Sequence, residues 1–292
     1  MEKIATPGLY DIPMDTYHGD CCEAHSVSGS GLFKIEQTSL AHYWWDSYLN
    51  PERDPPDSPA LSFGRAAHAM ILGEPEFAKS FVISPYPDFR TKEAREWKAN
   101  ETRTIVTTEQ LRQIRAMAKT IVAHPLLKNA FQDGAPEQSL IWKDAETGIW
   151  LKSRPDWLPH TLQFVPNYKT ARTGKPADWA RAAFDLGYHV GAALTLEGLK
   201  QIRGWDKATY YFVVQEKEAP YLVTPILIRD TDIEWGALLY RRSLRRLAEA
   251  LGTNKWPGYS DAVVEVQMPA YKESLLLARH EAGEFQEEVK HV

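Results

Sequence analysis

The sequence predicts a mixed α/β protein in which helices pack on a central mixed sheet and an N-terminal helical part precedes it. Three observations predict this. Residues 28–121 carry apolar stripes at helical spacing, several with a capping residue in front. Residues 138–168 switch to short strand-like runs around a Thr-Gly turn. A helix, a strand pair and a helix then follow up to residue 251. The 292 residues suit a single domain, mainly helical over 1–130 and sheet-containing over 131–292.

Each element has a local reason. Ser28 or Ser30 can cap a short helix through Ile35. Residues 39–49 form a second helix, dense in aromatic residues. Residues 50–59 hold four prolines and read as a surface connection. A third helix covers 58–72, with Pro59 in its first turn and Gly73 behind it. Thr107 and Gln110 fit a capping box ahead of the stripe Leu111, Ile114, Met117 and Ile121. Runs 138–143 and 149–154 flank Asp144-Ala-Glu-Thr-Gly148, a hairpin signature, and 161–168 extends the pair into a meander. One long helix is expected over 176–202 and strands over 208–215 and 221–229. A capping box at Thr231 and Glu234 opens a helix to Leu251, and a short strand covers 262–267.

Composition excludes several classes. The formal charge of −5 argues against a generally basic nucleic-acid coat, though not against one local patch or a bound metal. The strongly apolar run 66–72 is far shorter than the ~20 residues that span a bilayer. The first residues lack the apolar core of a secretory signal. The two cysteines, Cys21 and Cys22, are adjacent, so no disulfide framework exists and a reducing cytoplasm fits. Cys21-Cys22-x-x-His25 lacks a second ligand pair at zinc spacing, so a solvated N-terminal segment is expected there.

The informative stretch is 154–169. Asp156 follows a strand, and Lys169 ends the next one with Asn167 two positions before it. Side chains two apart share a face of a strand, and a hairpin can bring Asp156 beside them. A carboxylate pair with a lysine at this spacing suits metal-assisted phosphodiester hydrolysis: carboxylates hold a hard cation, and the lysine orients water or stabilises the phosphate.

Here the chain resembles a family. Arg154-Pro-Asp156 followed by Asn167-Tyr-Lys169 looks like the PD-(D/E)xK nuclease signature. Further blocks resemble the exonuclease VIII (RecE-like) branch of phages and prophages: Ser26-Val-Ser-Gly-Ser-Gly-Leu32, Ser39-Leu-Ala-His-Tyr43, Phe63-Gly-Arg-Ala-Ala-His68, Glu137, Tyr188-His-Val190 and Trp256-Pro-Gly-Tyr259. The resemblance implies a restriction-endonuclease-like core. It implies a Mg²⁺- or Mn²⁺-dependent exonuclease on linear double-stranded DNA ends, a ring-forming homo-oligomer and a single-strand annealing protein as partner. His68, Glu137, Asp156 and Asn167 would face the metal, and Lys169 would be the catalytic lysine. The chain departs from the family where Asn167 replaces an acid. Pro166 interrupts the strand, and Gly191 and Thr195 stand where Gln and Tyr are expected. These departures motivate an alternative: a catalytically inactive nuclease fold that binds DNA ends or a recombination partner.

Two basic groups are candidates for DNA contact. Arg172 and Lys175 follow the Lys169 strand directly. Arg241, Arg242, Arg245 and Arg246 form a helical stripe that could track a phosphate backbone or be a solvated face. Trp44 and Trp45 offer base stacking against the commoner use of Trp in packing.

Overall fold

A computed structural model describes residues 2–53 and 59–285. Part of the Pro-rich connection, including the expected helix start at Ser58, lies outside the described residues. The chain forms two compact units, Met1–Trp256 and Pro257–Val292.

The first unit opens with β1 (Gly8–Tyr10), α1 (Met14–His18), β2 (Ser26–Ser28), α2 (Gly29–Gln37) and α3 (Leu40–Asp46). Next come α4 (Pro59–Leu72), α5 (Glu74–Ser80), β3 (Phe81–Ile83), α6 (Lys92–Asn100), β4 (Thr104–Val106) and α7 (Thr108–Ala123). The middle holds β5 (Gly134–Pro136), β6 (Ser139–Lys143), β7 (Trp150–Ser153), β8 (Trp157–Pro159) and β9 (Phe164–Ala171). The unit closes with α8 (Pro176–Asp185), α9 (Tyr188–Arg203), β10 (Thr209–Glu216), β11 (Val223–Ile226) and α10 (Asp230–Thr253). This is the expected mixed α/β architecture. Strands β1 to β5 and β8 and helices α1, α5 and α6 are additions, and most are too short to leave a periodic trace.

The predicted hairpin is present: β6 and β7 pair antiparallel, Leu140 opposite Ser153 and Lys143 opposite Trp150. It is widened by β1 on one side and β2 on the other, giving the order β1-β6-β7-β2 with β2 parallel to β7. The meander is not. After β7 the chain detours through β8, which pairs with β5, and β9 then joins β10 in parallel in a second sheet, β11-β10-β9. Burial explains the detour. Val213 of β10 faces a cluster from α4, α5 and α7, while Phe212 and Val214 face one from α8 and α9. Both faces of the sheet are covered, as a parallel pair requires.

The expected helix over 176–202 is two helices, broken at Gly187. Gly187 has φ +71°, and a Cβ there would lie 2.3 Å from the Phe33 ring. Only glycine allows that turn and that approach. Helix α9 is buried on several sides, with Val190, Leu194 and Leu199 fully enclosed between the hairpin, α2 and α10. The Thr107–Gln110 capping box forms as expected and leaves Leu111, Ile114, Met117 and Ile121 buried. The Thr231–Glu234 box does not. Helix α10 starts at Asp230, and Arg229 precedes it with its guanidinium on Asp232, Nε to Oδ2 2.9 Å. Cys21 and Cys22 are not solvated either. Both are buried beside Ile4, Tyr17, Ile141 and Trp150, because the segment is pinned under the hairpin sheet.

The second unit contains α11 (Ala270–Glu281). Its residues 262–267 alternate like a strand, yet no ladder forms there among the described residues; alternation without a partner makes no sheet. No helix among the described residues is long and apolar enough to cross a membrane.

Candidate active site

Strand β9 is an outer strand of its sheet, and the site is built along its free edge. The parallel register with β10 leaves the Tyr168 N–H on that edge, where Asp156 Oδ2 accepts it at 2.6 Å. Pro166, two residues earlier, lacks its donor on the same edge, so no ladder bond is lost. Asn167 and Lys169 share the opposite face of β9 from the Tyr168 ring.

Helix α4 supplies His68. Its Nε2 lies 3.1 Å from Asp156 Oδ1, and its Nδ1 lies 3.6 Å from Glu137 Oε1. A Cβ at Gly64, one turn earlier, would stand 3.3 Å from Thr170 Oγ1, so the glycine lets α4 approach β9 closely. Glu137 follows β5 with φ +47°, a costly value for a residue with a side chain. Its N–H bonds the Asp156 carbonyl at 3.1 Å, which fixes the two acids relative to one another. Lys169 Nζ lies 3.8 Å from Asp156 Oδ2 and 5.7 Å from the centre of the Tyr188 ring.

Charge is balanced within this group. Burial works to raise the Asp156 pKa, but the Lys169 and His68 charges and the Tyr168 N–H hold it below the ordinary value. Burial likewise opposes an imidazolium at His68, yet the Asp156 and Glu137 carboxylates lift its pKa above the ordinary value.

The His68–Asp156 contact bears on metal binding. Nε2 is buried and stands 3.1 Å from Oδ1, so the ring and the carboxylate face one another directly. Adjacent octahedral ligands about 2.1 Å from a small divalent ion stand roughly 3 Å apart. His68 Nε2 and Asp156 Oδ1 therefore fit as neighbouring ligands of one cation. Glu137 faces the opposite ring nitrogen, where a carboxylate orients a liganding imidazole. Among the described residues no three His, Cys, Asp or Glu side chains stand ready to hold an ion together.

Asn167 is 5% exposed. It reaches the Tyr210 phenol, which also meets Thr195, and Thr195 Oγ1 lies 2.7 Å from Ser153 Oγ. Asn167 is thus part of a neutral buried network. Tyr188 and Tyr210 belong to this site as well. Their role was hidden because aromatic residues near a strand or helix read as core.

The basic candidates part company. Arg172 and Lys175 are exposed just beyond β9, and Lys175 pairs with Asp178 at 3.6 Å. Arg241 and Arg245 are engaged within the fold. Arg241 pairs with Asp144, and Arg245 Nε bonds Glu146 Oε1 at 2.6 Å. Arg242 bonds Glu36, and Arg246 the Ile35 carbonyl. The stripe links α10 to the hairpin turn and to α2, while Arg242 and Arg245 keep most of their side chains in solvent. Trp45 is exposed.

Comparison with known proteins agrees with this geometry. Residues 30–267 match the family described as a PDDEXK-like domain of unknown function, DUF3799. A crystal structure from Eubacterium rectale, described as a "Putative exonuclease", superposes with a TM-score of 0.61. It is 12% identical in sequence, and the alignment covers 91% of this chain and 98% of that one. No curated protein matches the sequence.

Proposed function

This chain belongs to the PDDEXK-like family DUF3799, and we propose that it is a divalent-metal-dependent nuclease acting on linear double-stranded DNA ends. The observation that carries the reading is the His68–Asp156 pair, 3.1 Å apart, with Lys169 3.8 Å from the same carboxylate. Mg²⁺ or Mn²⁺ held by His68 and Asp156 would activate water and offset charge on the reacting phosphate. Glu137 fixes the His68 ring. Lys169 places a fixed positive charge where a phosphate oxygen or the attacking water is held. Asn167 contributes a neutral oxygen, so the affinity for metal should be low. By family resemblance the chain would act as a RecE-like ring of identical subunits alongside a single-strand annealing protein.

The second reading is an inactive binder of DNA ends. The burial of Asn167 in the Ser153–Thr195–Tyr210 network favours it, since that network is complete without charge. End-labelled linear duplex, incubated with and without Mg²⁺ or Mn²⁺, separates the two. The nuclease reading expects metal-dependent cleavage by the wild type, increased in Asn167→Asp. Silence from both folded proteins overturns it and leaves the binder.

A further inference from the structure

We propose that Cys21 and Cys22 form a redox-active dithiol, closed to an intramolecular disulfide by a hydroperoxide and reopened by thiols. They are the only cysteines of the chain, they are 4% and 0% exposed, and their sulfurs face one another at 3.7 Å. The nuclease chemistry proposed above uses neither, so the site stands or falls independently of cleavage.

Their surroundings set them apart from thiols that only pack. Ile4, Tyr17, Ile141 and Trp150 lie against the pair, but polar groups reach it as well. Ser26 Oγ is 3.9 Å from Cys21 Sγ. The Lys152 ammonium is fixed by the carbonyls of Tyr17 at 2.6 Å and of Gly19 at 3.3 Å, and its charge acts on both sulfurs. A thiol in wholly apolar surroundings keeps its proton and is inert, whereas hydrogen-bond donors and a nearby cation favour the thiolate. The Cys22 S–H, the Lys152 charge and the Ser26 hydroxyl hold the Cys21 thiol down at about 6 against the effect of burial. The same sulfur contact, together with burial, pushes Cys22 up. At neutral pH one sulfur is therefore the nucleophile, and its neighbour keeps its proton. Ser26 and Lys152 also stand on the wall of an open cavity of about 220 Å³, so a small solute reaches the groups beside Cys21 from solvent.

The chemistry closes on these two sulfurs. The Cys21 thiolate attacks one oxygen of the hydroperoxide and the O–O bond breaks. The sulfur is oxidised to a sulfenic acid, and the other oxygen leaves as an alcohol or water after taking a proton from solvent. Cys22 then attacks the Cys21 sulfur. The S–S bond forms, the S–O bond breaks, and the Cys22 proton leaves with the hydroxide as water. In sum, two thiols and one hydroperoxide give a disulfide, an alcohol or water, and one further water. Neighbouring α-carbons stand about 3.8 Å apart across a trans peptide, nearer than the usual disulfide range of about 4.4–6.8 Å. Such a bridge is strained, and strained bridges are the ones that thiols readily reduce. That suits a reversible switch rather than a permanent cross-link.

The test uses the full chain, reduced, freed of reductant and kept in EDTA at pH 7. It is treated with a small excess of hydrogen peroxide, unfolded in N-ethylmaleimide and weighed by mass spectrometry. The expected product is lighter by two hydrogens, unalkylated at both cysteines, monomeric on a non-reducing gel and restored by dithiothreitol. Cys22→Ser should halt at the sulfenic acid, which dimedone labels at Cys21. Cys21→Ser should react at least about tenfold more slowly, because Cys22 alone lacks the thiolate. The wild-type result stands even if a variant fails to fold. Two alkylated thiols after treatment of the wild type, a bridge between chains, or equal rates in wild type and Cys21→Ser overturns the proposal.

Discussion

Asp156 accepts the backbone N–H of Tyr168 at 2.6 Å, and that bond sets the carboxylate on the edge of β9 between Asn167 and Lys169. One hydrogen bond thus does what the sequence motif implies: it collects residues 13 positions apart into one cluster. It also makes Asp156 both structural and chemical, which dictates how its variants should behave.

Asp156→Ala should lose about 1–3 kcal/mol of stability, because it leaves the Tyr168 N–H without its partner and the His68 and Lys169 charges without theirs. Lys169→Met removes a partly exposed charge and should leave the urea midpoint close to wild type. Both should lower metal-dependent cleavage by about a hundredfold or more. Urea denaturation beside a cleavage assay checks this; a stable, active Asp156→Ala would contradict the site.

Asn167→Asp places a carboxylate in a buried network of hydroxyls. Burial raises the pKa of such a group above its unfolded value. The variant should therefore be less stable than wild type at neutral pH, by about 1–3 kcal/mol. The deficit should fade as pH falls through the raised pKa and the acid becomes neutral. Mg²⁺ should recover part of it at pH 7 by binding the folded state. Denaturation at several pH values, with and without Mg²⁺, reads all three effects.

The clamp between Asp144 and Arg241 is a separate matter of stability. Burial alone would raise the Asp144 pKa, but Arg241 and the Thr147 donors, N–H at 2.9 Å and Oγ1 at 2.8 Å, hold it below the ordinary value. A depressed carboxylate stabilises the fold above its unfolded pKa, and that contribution is lost as pH falls through the folded pKa. Arg241→Met should cost roughly 3 kcal/mol at pH 7. The gap to wild type should narrow below the ordinary Asp pKa of about 3.9. Arg245→Met, on an exposed pair, should have a much smaller effect, and equal losses in the two would refute the distinction.

Two glycines make a contrasting pair. A Cβ on Gly236 would lie 2.4 Å from the His189 carbonyl oxygen, whereas one on Gly191 meets nothing within 4 Å. Gly236→Ala should force α9 and α10 apart and destabilise the fold. Gly191→Ala should stabilise it by about 0.5–1 kcal/mol through helix propensity. Thermal midpoints moving in opposite directions are the expected result.

The sequence by itself determined the elements whose signal is local. The Thr107 capping box, the hairpin around Gly148 and the Asp156-to-Lys169 spacing are readable because caps, turns and strand periodicity involve neighbours in the chain. It also made the His68 block legible through family resemblance. The tertiary structure decided everything that depends on distant partners. Strand β9 pairs with β10 rather than β7, since which strand fills an edge is set by what covers both faces. Residues 262–267 make no strand because no neighbour among the described residues pairs with them. The arginine stripe found its carboxylate partners because Asp144, Glu146 and Glu36 arrive from elsewhere in the chain. Glu137 faces one ring nitrogen of His68 and Asp156 the other, an arrangement that no spacing in the sequence encodes. Charge and hydrogen-bond partnership are properties of space, and only the folded chain assigns them.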